Sequence, residues 1–185
     1  MLSDAQLRTL LDRYERPLVR YAQNILGDLE SARDVVQDTF IKWVEGQDND
    51  GSPSLLESEE RHTEAWLFTV CRNRAIDYQR KQRRIVPMNP LEPERLSEEP
   101  IPGAALESEE LALSLGLLLE ELSENQREVI RLKFQNDLSY KEIAEITRLT
   151  VTNVGFLLHA GLKRLRSLLS EQPHVTFDFP FRKTL

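Results

Sequence analysis

Residues 122–169, LSENQREVIRLKFQNDLSYKEIAEITRLTVTNVGFLLHAGLKRLRSLL, constrain the fold more than any other stretch of the chain. Their spacing predicts three helices, the last two joined by a very short turn. In the segment 140–146, Ile143 and Ile146 are apolar, and the small Ala144 lies where two helices must approach closely. The break Arg148-Leu149-Thr150 follows. Val151, Val154, Leu158, Leu162 and Leu165 then recur every three or four residues, one face of a helix. Two helices joined so tightly, the second ending in Lys163, Arg164 and Arg166, predict a helix-turn-helix that lays its second helix in a DNA major groove.

The overall charge argues against a protein that grips nucleic acid unaided. The 185 residues carry a formal net charge of −7. A DNA-reading chain with this balance keeps its positive charge local or reaches DNA through a partner. Charge is indeed segregated. Arg61, Arg72, Arg74, Arg80, Lys81, Arg83 and Arg84 face only Glu64 and Asp77 between residues 61 and 84. Residues 85–110 then hold seven acids against Arg95, together with Pro87, Pro90, Pro93, Pro100 and Pro102. Proline fixes φ and removes donors, so this stretch reads as an extended acidic linker. The boundaries predicted are a first domain over 1–86, a linker over 87–109, a helix-turn-helix domain over 110–170 and a tail over 171–185 of unassigned role.

The first domain opens with a stripe of Leu7, Leu11, Tyr14, Leu18, Tyr21 and Ile25, with a helix start at Ser3-Asp4 and a bend at Pro17. Gly27-Asp28 breaks it. A second helix is expected from about Glu30 to Glu45, turning Ala32, Val36, Phe40 and Trp43 inward. Residues 47–60 read as a loop, and a third helix starts near Thr63 and runs into the basic segment. No stretch has a strand pattern. The fold class expected is all-α: two small helical domains joined by an acidic, proline-rich linker.

On the second helix, Asp34, Gln37, Asp38, Ile41 and Glu45 share the face opposite the apolar stripe. An isoleucine among carboxylates suggests a docking patch with an apolar centre and an acidic rim; a solvated face with one stray Ile competes on spacing alone. On the third helix, Asn73, Asp77, Arg80 and Arg84 share a face, with Arg72, Lys81 and Arg83 beside it. Near Trp66, Phe68 and Tyr78, such cations suit melted DNA, where bases stack on rings and phosphates meet cations. Burial in a core is the favoured place for Trp66 and Phe68 themselves. His62, His159 and His174 lack ligand spacing, and the single Cys71 has no partner for a disulfide or a nucleophilic pair. No metal, cofactor or catalytic site is expected. Ser123 and Gln126 form a capping pair. No apolar run reaches the roughly eighteen residues a bilayer span needs, and the charged N-terminal segment has no secretory pattern. The expected compartment is the cytoplasm, with no membrane insertion.

These pieces resemble a known family. Residues 31–40, SARDVVQDTF, are similar to the core-polymerase-binding helix of bacterial sigma factors. Ala65-Trp66-Leu67-Phe68 and Arg72-Asn73-Arg74-Ala75-Ile76-Asp77-Tyr78 resemble the segment that melts and reads the minus-ten promoter element. Residues 122–129 and Tyr140-Lys141-Glu142-Ile143-Ala144 resemble the domain that reads the minus-thirty-five element. Their order and the short acidic linker look like the two-domain extracytoplasmic-function group. The resemblance implies a non-enzymatic initiation factor whose Asp34, Gln37 and Asp38, with Ile41, dock on core RNA polymerase. It implies a linker threading the polymerase interior, promoter DNA as a second partner and an anti-sigma protein as a candidate third.

The chain departs from the family at two places. Arg148 stands where a glycine is usual in the turn, and a non-glycine residue at positive φ costs on the order of 1 kcal/mol. Gly155, Phe156 and Leu157 stand where a Lys-Ser-Arg-like run is usual. What remains for DNA is Thr150, Thr152, Asn153, Phe156 and His159, with Lys163, Arg164 and Arg166 for phosphates. Gly155 and Gly161 are expected to loosen the helix. Weak recognition, thymine-methyl contacts and a switch to protein contacts all fit this composition. Two other functional classes compete: a helix-turn-helix regulator binding duplex DNA alone, and an interaction module that has lost DNA readout.

Overall fold

The computed structural model describes residues 4–47, 60–85 and 115–170, and every regular element among them is helical. The linker, the tail, and residues 48–59 of the expected loop lie outside the described residues.

Three helices make the first unit: α1 (Asp4–Leu26), α2 (Leu29–Gln47) and α3 (Glu60–Ile85), each packed on the other two. Pro17 lies inside α1, which continues through it to Leu26. The buried line of α1 is Leu10, Tyr14, Leu18, Tyr21 and Ala22, with Leu7, Leu11 and Ile25 partly buried beside it. The expected stripe is kept and widened by Leu10 and Ala22, because α1 faces two neighbours and needs a broader apolar surface. Gly27, at φ +79°, turns the chain between α1 and α2. Asp28 then accepts from the backbone N–H groups of Glu30 and Ser31 at 3.3 and 2.7 Å, an N-cap. The Ser31 hydroxyl first, then the Ser31 and Glu30 N–H groups, hold the Asp28 carboxyl below its ordinary value.

Trp43, Phe68, Leu18 and Leu67 are completely buried, as are Ala32 and Cys71. Each large apolar side chain here contributes about 1.5–3 kcal/mol relative to exposure. The ring of Tyr21 meets Phe68 edge-on at 5.3 Å. The expected boundaries need adjustment: α2 runs to Gln47, and α3 begins at Glu60, three residues before Thr63. Phe68 is core, whereas Trp66 is only partly buried against it.

Helical residues 115–120 (α4) lead into the second unit of α5 (Glu124–Gln135), α6 (Tyr140–Thr147) and α7 (Val151–Ser170). Val129, Leu132, Leu138, Ile143, Ile146, Val154 and Leu158 form its core. Capping boxes start α5 and α6: Ser123 with Gln126, and Ser139 with Glu142. Arg148 takes the left-handed conformation at φ +59°, ψ +30°, and closes α6, as the missing glycine predicts. The N–H of Leu149 reaches back to the Ala144 carbonyl at 3.1 Å, satisfying an end group of the helix.

One expectation for α7 is corrected. Val151 is 49% exposed and lies outside the buried stripe. At Gly161 the propensity cost comes with close packing: the residue is buried, and a Cβ there would lie 2.8 Å from Ile130 Cδ1 and 3.4 Å from Gln126 Cβ. A side chain there would have to displace the Ile130 terminal methyl of α5. Gly155 has ordinary space, with the Tyr140 ring 3.6 Å from where a Cβ would be.

Candidate nucleic-acid interface

Burial of Ala32, Val35, Val36, Phe40 and Trp43 turns the other face of α2 outward. Asp34, Gln37, Asp38 and Ile41 are all exposed, Ile41 by 47%. Beside them an apolar groove of about 460 Å³ runs between α1 and α2, lined by Leu7, Leu11, Val19, Phe40, Ile41 and Val44. Ile41 is thus the edge of a larger apolar surface. The spacing of α2 alone hides this, because Leu7, Leu11, Glu15 and Val19 of α1 complete the lining. Asp38 meets the Arg74 guanidinium at 2.7 Å, joining the acidic face to the basic helix at an exposed site.

On α3, Arg80 and Lys81 are exposed, with Asp77 at 3.7 Å from Arg80. Asn73 is partly buried. The side chains of Arg83 and Arg84 lie outside the described residues.

Arg72 has a different environment. Its Nε donates to Glu128 Oε1 at 2.7 Å and its Nη2 to Oε2 at 3.1 Å. The Tyr21 hydroxyl donates to the same Oε1 at 2.7 Å. Only 17% of the Arg72 side chain and 14% of the Glu128 side chain is exposed. Burial pulls the guanidinium pKa down, but the carboxylate bonds outweigh it and raise it. Burial first, then Glu128, pushes the Tyr21 phenol well above its ordinary range. Glu128 comes from the second unit, and α6 packs directly on α3. In this arrangement Arg72 is a link between units rather than a surface cation. The sequence reading missed Glu128: nothing local distinguishes it from other acids on an amphipathic helix.

Glu64, also on α3, shows the same proximity. Burial raises its pKa, and Glu142 raises it further; Arg13 and Arg61 oppose the shift, while Asp137 adds to it.

The face of α7 opposite Val154, Leu158, Gly161 and Leu165 is open. Thr152, Asn153, Phe156, His159, Lys163, Arg164 and Arg166 are all exposed there or on its flanks. Thr150 is exposed as well, and its hydroxyl accepts from the Asn153 N–H at 3.2 Å, so it also caps the helix. Cys71 is a core group, its thiol pushed up to about 12 by burial. Among the described residues no cluster of His, Cys, Asp or Glu has metal-binding geometry, and no helix is long and apolar enough to cross a membrane.

Comparison with known proteins matches both units. Residues 10–85 fit the family model of Sigma-70 region 2, and residues 112–165 that of Sigma-70, region 4. The chain is 31% identical over 171 residues to the ECF RNA polymerase sigma factor SigL of Mycobacterium tuberculosis, covering 90% of each protein. It is 27% identical over 156 residues to the ECF RNA polymerase sigma factor SigM of Bacillus subtilis, covering 84% of this chain and 90% of that protein. The sigma factor RpoE of Bartonella quintana, solved with the anti-sigma factor NepR, superposes with a TM-score of 0.65 at 25% identity. That match spans 89% of this chain and 97% of RpoE. CnrH, solved with the cytosolic domain of CnrY, shares the fold, with a TM-score of 0.58 at 23% identity over 90% of this chain and 88% of CnrH. Two sigma regions in order on two helical units, with a relative similar along nearly its whole length, make the chain a member of the extracytoplasmic-function sigma factors, which direct RNA polymerase to promoters.

Proposed function

We propose a division of labour between the two units, with residues 1–86 as the polymerase-docking and minus-ten domain and 110–170 as the minus-thirty-five domain. Residues 87–109 are the acidic tether between them. The α2 face of Asp34, Gln37, Asp38 and Ile41 docks on core RNA polymerase. Its exposed acids and the apolar groove beside Ile41 support this, since an apolar centre with a polar rim is the anatomy of a protein interface. Asn73, Asp77, Arg80, Lys81, Arg83 and Arg84 meet promoter DNA as it opens, and Arg72 joins them once freed from Glu128. Thr150, Thr152, Asn153, Phe156 and His159 face the upstream element, and Lys163, Arg164 and Arg166 meet its phosphates. The protein works in the cytoplasm, has no catalytic chemistry of its own, and is held in reserve by an anti-sigma partner.

The observation that carries this reading is the coexistence of an exposed acidic and apolar face on α2 with runs of exposed cations on α3 and α7. A net charge of −7 leaves DNA affinity to a partner. Gel mobility of duplex promoter DNA at physiological salt tests it. A shift is expected only when core polymerase accompanies the chain. A shift by the chain alone would favour a stand-alone regulator.

A further inference from the structure

The solvent face of α7 has an uneven chemistry along its length. Helical spacing aligns Thr152, Phe156, His159, Lys163 and Arg166 opposite the buried Val154, Leu158, Gly161 and Leu165, with Asn153 on the flank. No Lys, Arg or Gln occurs between Thr150 and Leu162. The first turns, which meet base edges when such a helix enters the major groove, therefore offer methyls, a ring, an amide and an imidazole. Phe156 is 66% exposed and Val151 49%. Tyr140, also exposed, lies against Gly155 and extends this apolar surface onto α6.

An exposed phenylalanine gains when its surface leaves water. On the floor of the major groove the apolar group a side chain can cover is the thymine C5 methyl, which Phe and Thr methyls contact. Lys163, Arg164 and Arg166 lie further along the same helix. Their phosphate contacts would fix the register that brings Phe156 to the bases.

We propose that α7 selects its upstream promoter element by burying thymine methyl groups against Phe156, Val151 and the Thr152 methyl, with Asn153 left to pair with adenine. This rests on the reading that the helix-turn-helix meets promoter DNA. It adds the base chemistry that is recognised: thymine methyls rather than the guanine acceptors an arginine would take.

The test uses holoenzyme reconstituted from the full chain and core polymerase, on a promoter from which it starts transcription. Thymines of the upstream element are replaced one at a time by deoxyuridine, which lacks only the methyl. At one or more positions, binding should fall about threefold to fivefold, the ratio that covering one methyl supports. Phe156→Ala should weaken binding to the natural duplex and abolish that sensitivity at one position at least. Phe156 is exposed, so this variant keeps the core intact. Specific initiation that is indifferent to every deoxyuridine replacement would overturn the proposal. So would a methyl effect that persists undiminished in Phe156→Ala and Val151→Ala, or a Phe156→Ala defect confined to protein binding. Failure to start any transcript with polymerase would show before a base is changed, and would remove the underlying reading along with this one.

Discussion

The Arg72 guanidinium grips Glu128 across 56 residues of sequence, Nε to Oε1 at 2.7 Å and Nη2 to Oε2 at 3.1 Å. A cation of the segment proposed to meet the promoter is thereby held by the helix-turn-helix unit. If Arg72 meets the promoter as proposed, it must first give up both of its bonds to Glu128.

Glu128→Ala leaves Arg72 and the Tyr21 hydroxyl without their shared acceptor. Removing a charged hydrogen-bond partner costs about 1.5–3 kcal/mol, enough to shift the units apart. Small-angle scattering should report a larger radius of gyration than for the wild-type chain, and Glu128→Gln should lie between. Identical profiles would mean that other contacts hold the units together.

The two glycines of α7 should respond differently to alanine. At Gly155 a Cβ meets only the Tyr140 ring at an ordinary distance, so Gly155→Ala should gain up to about 1 kcal/mol in helix propensity. At Gly161 the same gain is offset by displacing the Ile130 terminal methyl from a buried site. Chemical denaturation should rank Gly161→Ala below Gly155→Ala by about 1 kcal/mol. The reverse order would contradict the close approach of α5 and α7.

Much of this architecture is legible in the chain. Apolar spacing marks the buried faces of α2 and α7, and Arg148 announces its strained turn by replacing a glycine. The second capping box, Ser139 with Glu142, was equally readable from its spacing but concealed among helix-forming residues. Relationships between distant segments are not legible. Glu128 looks like any solvated acid, Gly161 looks like a weak point, and the groove beside Ile41 exists only once α1 lies next to α2. Periodicity reports which side of a helix is apolar, and it is silent on which helix covers it.

Glu64 makes the folded state sensitive to pH. Its pKa is raised from an ordinary 4.5, chiefly by burial and then by Glu142. A raised folded-state value stabilises fully below the ordinary glutamate range, and that contribution is lost as pH rises through the raised value. Glu64→Gln should therefore raise the thermal midpoint at neutral pH and flatten its dependence above pH 4.5. A lower midpoint at neutral pH would show that Arg13 and Arg61 make the carboxylate favourable.

Arg80 and Lys81 are exposed, and their proposed contacts are phosphates. Replacing both with alanine should reduce open-complex formation and lower the slope of log K against log salt by roughly 0.7 for each lost single-strand phosphate contact. Permanganate footprinting across a salt series reads both effects. Unaltered melting with an unaltered slope would remove these residues from the interface.

The central claim is that the chain reaches genes only as a subunit of polymerase, through the α2 face. In vitro transcription of genomic DNA by core polymerase, with and without the chain and with 5′ ends mapped, tests it most directly. The account predicts discrete starts that need the wild-type chain and fade with Asp34→Ala/Asp38→Ala. Starts that appear without the chain, or persist at full strength with the double variant, would contradict it.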